Sequence, residues 1–373
     1  MQRIYLDANA TTPLDPRVRE AMAPWLDCGN ASSPHAEGRA ARSAIDRARD
    51  QVAALIGAQA REIVFTSGAT EANALALLGT VAARRCARVL TSAVEHPSVL
   101  RTLEAARDQF DLVIAPVRAD GCVPDDTDIP ADTALVSIMR ANNETGALMP
   151  VRELAARARA AGAVVHTDAV QACGKIPVDV GDLNVDLLTL SAHKMHGPKG
   201  AGALYVRRGA RLDPLFHGGE HERGLRAGTE NVAAIVGLGA AAERAAAEGD
   251  ARRALWSHLH ELCVARLRAA FPDATIHAPE AAVPNTICVT FPDVEGEAVL
   301  LGLDLEGIAV ATGSACSSGA TEPSHVLQAM GLKREEAERS IRISFHAQSC
   351  AADVAACGNT LARVVKRLRA LHV

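Results

Sequence analysis

A chain of 373 residues is long enough for two domains, since one domain commonly takes roughly 150 residues. Apolar residues make up 49% and charged residues 22%, which excludes a disordered chain. The 39 Lys and Arg against 44 Asp and Glu leave a net charge of −5, which argues against a protein built to bind nucleic-acid phosphates. Aromatic residues supply only 3%, so the core has to be built from Ala, Val, Leu and Ile. The longest apolar stretches, such as 232–242, fall short of the ~20 residues that span a bilayer, and the start MQRIYLD lacks the apolar core of a signal peptide. Nine cysteines without a C-x-x-C pair read as reduced thiols, so a cytoplasmic location is expected.

From about residue 61, short β-rich runs alternate with helical patterns. The runs 62–66 (EIVFT), 88–92, 111–117, 134–139, 163–167, 186–190 and 202–206 are apolar and flanked by turn residues, as buried strands are. Helical periodicity lies between several of them, for example over 71–78 and 151–160. This alternation predicts an α/β fold with a mostly parallel seven-stranded sheet and helices on both faces. From 231 to 270 the pattern is helical and Ala-rich, with an interruption expected at Gly249-Asp250 as a hinge between domains. Strands at 285–291 and 341–345, a helix at 297–303 and a basic terminal helix over 353–371 then predict a smaller α+β domain.

Polar clusters follow the strands. After 62–66 comes Ser67-Gly68-Ala69-Thr70-Glu71, a small polar turn opening into a helix. It reads either as a phosphate cradle of free backbone N–H groups or as a plain helix cap. Glu95-His96-Pro97, Asn142-Asn143-Glu144-Thr145-Gly146, Asp168-Ala169-Val170-Gln171 and Ser191-Ala192-His193-Lys194 follow the next strands. In a parallel sheet these ends share one edge, where ligands bind.

Two of the clusters define a chemistry. Lys194, preceded by Ser-x-His and directly after an apolar strand, is placed for a Schiff base with an aldehyde, and the common aldehyde cofactor is pyridoxal phosphate. That cofactor also wants a carboxylate against its pyridinium nitrogen. Asp168 is the candidate, with a helix N-cap as the equally open alternative.

The motifs FTSGATEAN (65–73), EHPSVL (95–100), NNETG (142–146), HTDAVQ (166–171), SAHKMHGPKG (191–200), HERGLRAGTEN (221–231) and ATGSACSSGATEPSHVL (311–327) stand in one order along nearly the whole chain. With them the chain resembles the pyridoxal-phosphate-dependent cysteine desulfurases of the NifS/IscS type, class V aminotransferases of fold type I. The resemblance implies conversion of L-cysteine to L-alanine, with the sulfur passed to an acceptor protein, for iron–sulfur cluster assembly or another thiolation pathway. It assigns Lys194 as the cofactor lysine and proton shuttle, Asp168 as partner of the ring nitrogen and Gln171 as partner of the ring hydroxyl. His96 would stack on the ring and also serve catalysis by handling protons, while Ala69, Thr70, Ser191 and His193 would hold the phosphate. Thr229 resembles a residue reaching the neighbouring subunit's phosphate, which implies a homodimer. Asn143 and Arg342 resemble the pair that binds the substrate carboxylate. The implied division is a large cofactor-binding domain over 14–249 and a small one made of 1–13 and 250–373.

Cys316 lies in Thr312-Gly-Ser-Ala-Cys-Ser-Ser-Gly319, whose small polar residues predict a mobile loop. The resemblance makes it the thiolate that takes the sulfur as a persulfide. The other eight cysteines match no such motif and read as structural. His217 and His221, four apart, have no evident third partner, so no metal is expected. Phe345-His346-Ala347-Gln348 departs from the Gly-Arg pattern common in the family. A selenocysteine lyase, an aminotransferase and a non-catalytic scaffold of the same fold are the competing readings.

Overall fold

The computed structural model describes residues 3–85, 87–313 and 322–371; Cys316 lies outside them. The two-residue strand β1 (Ile4–Tyr5) precedes the main sheet. That sheet is formed by β2 (Ile63–Thr66), β3 (Arg88–Ser92), β4 (Asp111–Ala115), β5 (Thr133–Ser137), β6 (Val164–Asp168), β7 (Leu187–Ser191) and β8 (Gly202–Val206). Their order is β2-β8-β7-β6-β5-β3-β4, and every pairing is parallel except the two made by β8. The seven expected strands are therefore present, each within a residue or two of its sequence-based bounds.

Both faces are covered, which is why the strands are continuous apolar runs rather than alternating ones. On one face, Ile45 and Val52 of helix Ala36–Leu55 and Leu154 of helix Val151–Ala160 pack with Val136, Val165 and Leu188. On the other, Leu77 and Val81 of helix Ala69–Arg84 and Leu103 of helix Pro97–Ala105 meet Val89 and Leu135. A four-stranded antiparallel sheet follows later in the chain. It is built from β9 (Thr275–His277), β10 (Thr286–Thr290), the short β12 (Ala311–Thr312) and β13 (Ser340–Ser344). The preceding β11 (Ile308–Ala309) pairs in parallel with β1, so the start of the chain is bound to its end. Sequence reading does not resolve β1, β9, β11 and β12, because two or three residues carry no readable period.

The interruption expected at Gly249-Asp250 is absent. One helix runs without a break from Val232 to Ala270, 39 residues. Its first half places Ile235, Leu238 and Ala242 in the core of the main sheet. The second half places Trp256, Leu259, Cys263 and Leu267 in a separate core with Phe291, Ile343 and Phe345. Packing at both ends outweighs the ~1 kcal/mol that a mid-helix glycine costs relative to alanine. A Cβ on Gly249 would come within 3.2 Å only of the Arg253 guanidinium, a flexible group. Gly249→Ala should therefore stabilise the protein by about 0.5–1 kcal/mol in denaturant titration. A comparable destabilisation would mean that the helix bends at this point. No helix among the described residues is long and apolar enough to cross a membrane.

Candidate active site

The parallel strands β3, β5, β6 and β7 end on one edge of the sheet. From β3 the chain moves outward to β4, then returns as β5 on the opposite side of β3. Such a reversal opens a crevice beyond the carboxyl ends of the strands. A cavity of about 620 Å³ lies there, with Thr70, His96, Asn143, Asp168, Ser191 and Lys194 in its wall. This volume is in the range that encloses a small cofactor and its substrate.

One end of the cavity is the start of helix Ala69–Arg84. Gly68 stands before it at φ 155° and ψ 179°, a conformation essentially confined to glycine. A Cβ on Gly202 of β8 would lie 2.7 Å from the Gly68 carbonyl carbon, so the turn approaches the strand this closely only because residue 202 is glycine. The first-turn N–H groups of Ala69 and Thr70 have no acceptor inside the helix, and the helix dipole makes their surroundings favourable to an anion. The Ser67 backbone N–H donates to Glu71 at 2.9 Å and Arg226 holds the other carboxylate oxygen at 2.8 Å, so this turn is braced from outside. Ser191, the last residue of β7, is buried, and its Oγ has no hydrogen-bond partner among the described residues. His193 lines the same cavity, with Nδ1 3.2 Å from Thr11 Oγ1. Burial and the nearby Lys194 and Lys199 bring its pKa down to about 4, so it stands there as neutral imidazole.

Deeper in, Asp168 ends β6. Its Oδ2 accepts from Asn73 Nδ2 at 2.8 Å and its Oδ1 from the Val170 N–H at 3.0 Å. Asn73 also donates to Ser98 Oγ at 2.9 Å, and Ser98 Oγ lies 2.7 Å from His96 Nδ1. The Ser98 backbone N–H donates to the same Nδ1 at 3.1 Å, so neutral His96 carries its proton on Nε2. Burial, opposed by Asp168 and reinforced by Lys194, lowers the His96 pKa. Asn73 thus aligns the carboxylate and the imidazole together. Motif membership is the only signal for Asn73 and Ser98 in the sequence.

The N-terminal segment closes the third side. Lys194 Nζ donates to the carbonyls of Asn9 and, at 2.7 Å, Ala10. Gln171 Nε2 donates to the Asn9 carbonyl at 3.0 Å. The Asn9 side chain reaches the Asn143 carbonyl at 3.0 Å and Thr286 Oγ1 at 2.8 Å. Sequence reasoning missed Asn9, whose only signal is its place in the DANATTP run.

Two of the expected site residues do not line the cavity. Arg342 of β13 is 1% exposed, and its guanidinium donates to the Asn143 carbonyl at 3.0 Å and to Asp7 at 2.8 Å. It stands behind Asn143 rather than beside it. Thr229 is exposed in a neighbouring depression with Phe65, Ser67 and Gly228. Cys316 is outside the described residues. His221 is 3.4 Å from Ser32 Oγ and 3.8 Å from Glu230, and no group of three or more His, Cys, Asp or Glu among the described residues is placed to hold a metal ion.

The fold is that of the type I pyridoxal-phosphate transferases. Within that class the chain belongs to the class-V aminotransferase family, which matches it over residues 4–357. It is 44% identical over 379 residues to the cysteine desulfurase IscS of Dictyoglomus turgidum, with 99% of this chain and 96% of that protein covered. Among solved structures, a NifS-like protein superposes with a TM-score of 0.92 at 36% identity, covering 98% of this chain and 100% of the other. SspA in complex with cysteine superposes with a TM-score of 0.81 at 35% identity, covering 92% and 98%.

The family's cofactor is pyridoxal 5'-phosphate, and the residues present fit it. The buried Ser191 Oγ without a partner lies in the same wall as the N–H groups of Ala69 and Thr70, as a phosphate cradle requires. A primary amine, an oriented carboxylate and a neutral imidazole occupy the rest of that wall. These groups match an aldehyde, a pyridinium nitrogen and an aromatic ring face.

Proposed function

We propose that this protein is a cysteine desulfurase, converting L-cysteine to L-alanine and passing the sulfur to an acceptor protein. The observation that carries the reading is the convergence of Lys194, Asp168 and His96 on one cavity beside the phosphate cradle. Full-length similarity to named desulfurases supports it.

Pyridoxal phosphate, when bound, supplies an electron sink for the bonds at the substrate's α-carbon. The chain's own residues do the rest. Asp168, fixed by Asn73 and the Val170 N–H, holds a proton on the ring nitrogen. Gln171 donates to the ring hydroxyl, and Ala69, Thr70, Ser191 and His193 hold the phosphate. Lys194 would hold the cofactor's aldehyde through its Nζ and would move the substrate's α-proton. His96 packs on the ring face with Nε2–H available as a donor. Asn143 and Arg342 receive the substrate carboxylate; Arg342 has to turn from Asp7 or share its guanidinium with both. The Cys316 thiolate would attack the substrate sulfur, the Cβ–S bond breaking with its electron pair left on carbon and protonated on the way to alanine, so that the sulfur stays as a persulfide that a scaffold or thiolation factor then accepts. Thr229 serves the phosphate of a second copy, so the active unit is a symmetric homodimer. The cofactor-binding domain comprises 14–249, and the small domain 1–13 and 250–373. Unpaired thiols at all described cysteines suit the reducing cytoplasm.

The test is direct. Cofactor-loaded protein given L-cysteine and a reductant should release alanine and sulfide one to one. Release of alanine from selenocysteine alone would make it a selenocysteine lyase, and keto-acid formation without sulfide would make it an aminotransferase.

A further inference from the structure

Lys175 is a buried lysine with no part in the chemistry described so far. It is 3% exposed, at the end of the turn that follows β6. Its Nζ donates to Asn9 Oδ1 at 2.6 Å and to Gln171 Oε1. Both acceptors are amide oxygens. The charged groups acting on it are Lys194, from the turn after β7, and Arg342 of β13, and both repel an ammonium. Burial first, and then these two cations, hold its pKa well below the lysine range. As a charge, therefore, Lys175 is poorly placed. As a hydrogen-bond donor it is well placed, and donors are what an amide oxygen needs.

The consequence falls on Gln171. A glutamine amide has an oxygen end and a nitrogen end of nearly the same shape, and its neighbours decide which way it faces. Lys175 occupies Oε1, and the Asn9 carbonyl takes one N–H from Nε2 at 3.0 Å. The second N–H of Nε2 is then the group Gln171 offers to the cavity it lines. Asn9 is oriented in the same way. Its Oδ1 accepts from Lys175 and from Asn285 Nδ2, while its Nδ2 donates to Asn143 and Thr286. Without these donors the Gln171 amide is free to turn over and present its oxygen.

We propose that Lys175 is a positioning residue that, with Asn9, locks the Gln171 amide so that its N–H faces the ring hydroxyl of the cofactor. The inference rests on the reading of Gln171 as the partner of that hydroxyl. An N–H donated there favours the ionised oxygen, so losing it raises the pH at which the bound cofactor's visible absorption band changes.

The experiment compares Lys175→Met, Lys175→Gln, Gln171→Leu and the Lys175→Met/Gln171→Leu double variant, all loaded with pyridoxal phosphate and titrated by absorbance. Lys175→Met and Gln171→Leu should each raise the midpoint by about one pH unit, the size of one lost hydrogen bond to a charged acceptor. The double variant should shift no further than Gln171→Leu alone, because the two side chains act as one unit. Lys175→Gln, which keeps an uncharged donor, should retain the wild-type midpoint, and it decides the matter alone should Lys175→Met fail to fold. A shifted midpoint in Lys175→Gln, or additive shifts in the double variant, would show Lys175 acting by charge and overturn the proposal. So would an unchanged midpoint in Lys175→Met alongside a shifted one in Gln171→Leu. An unchanged midpoint in Gln171→Leu would overturn the reading of Gln171 itself, and the proposal with it.

Discussion

Replacing Cys316 with serine is expected to stop sulfur release while leaving the cofactor bound and responsive to L-cysteine. On the proposed reading, binding depends on Lys194, Asp168 and the cradle at residues 69–70, all of which the variant keeps. A thiol of pKa ~8.5 supplies a few per cent thiolate at neutral pH even without help, whereas a serine hydroxyl supplies essentially none. Alanine and sulfide formation should therefore fall together, on the order of a hundredfold or more. Absorbance of the bound cofactor on mixing with L-cysteine, followed by assay of both products, checks this. A spectral response without alanine supports the assignment. Normal alanine production would mean that the sulfur leaves by elimination or through another residue, and the persulfide would have to be abandoned.

Lys194→Ala should have the largest effect of any single substitution. Its Nζ is the amine held at the cavity wall by the Asn9 and Ala10 carbonyls, within the electrostatic reach of His96. On the proposed reading, removing it takes away both the covalent hold on the cofactor and the group that moves the α-proton. Loss of a positioned proton-transfer group alone costs about 10²–10⁴-fold in rate. Borohydride reduction of the wild-type, cofactor-loaded protein should attach the pyridoxyl group to Lys194, as read by peptide mass mapping, and the variant should stay unlabelled. Label on Lys175 or Lys199 would overturn the assignment. Lys175 is the informative alternative, because it too is a buried amine close to the cavity, yet its Nζ is committed to Asn9 and Gln171.

Much of this site was readable because a parallel α/β sheet imposes a strict placement rule. Buried strands are apolar runs, and the residues just beyond their carboxyl ends are brought to one edge whatever lies between them in sequence. His96, Asn143, Asp168, Ser191 and Lys194 were found that way, and the cavity collects all of them. Gly68 was legible for a related reason, since a small polar turn opening a helix leaves backbone donors free.

What the sequence determined by itself, then, was the fold class, the seven core strands and the set of reactive groups at their ends. These follow from local periodicity and from short-range turn chemistry. Tertiary structure alone decided the rest. The helix from Val232 to Ala270 continues through Gly249 because two separate cores grip its two halves, and no local window contains both. Arg342 is turned onto Asp7, more than three hundred residues away in the chain, because parallel pairing of β1 with β11 carries the N-terminal segment onto the end of β13. Asn9 and Lys175 are polar residues in unremarkable local sequence, and they meet each other and the site through hydrogen bonds that mostly cross long chain separations. A side chain's partners beyond its own turn are set by packing, and burial is what makes those bonds obligatory.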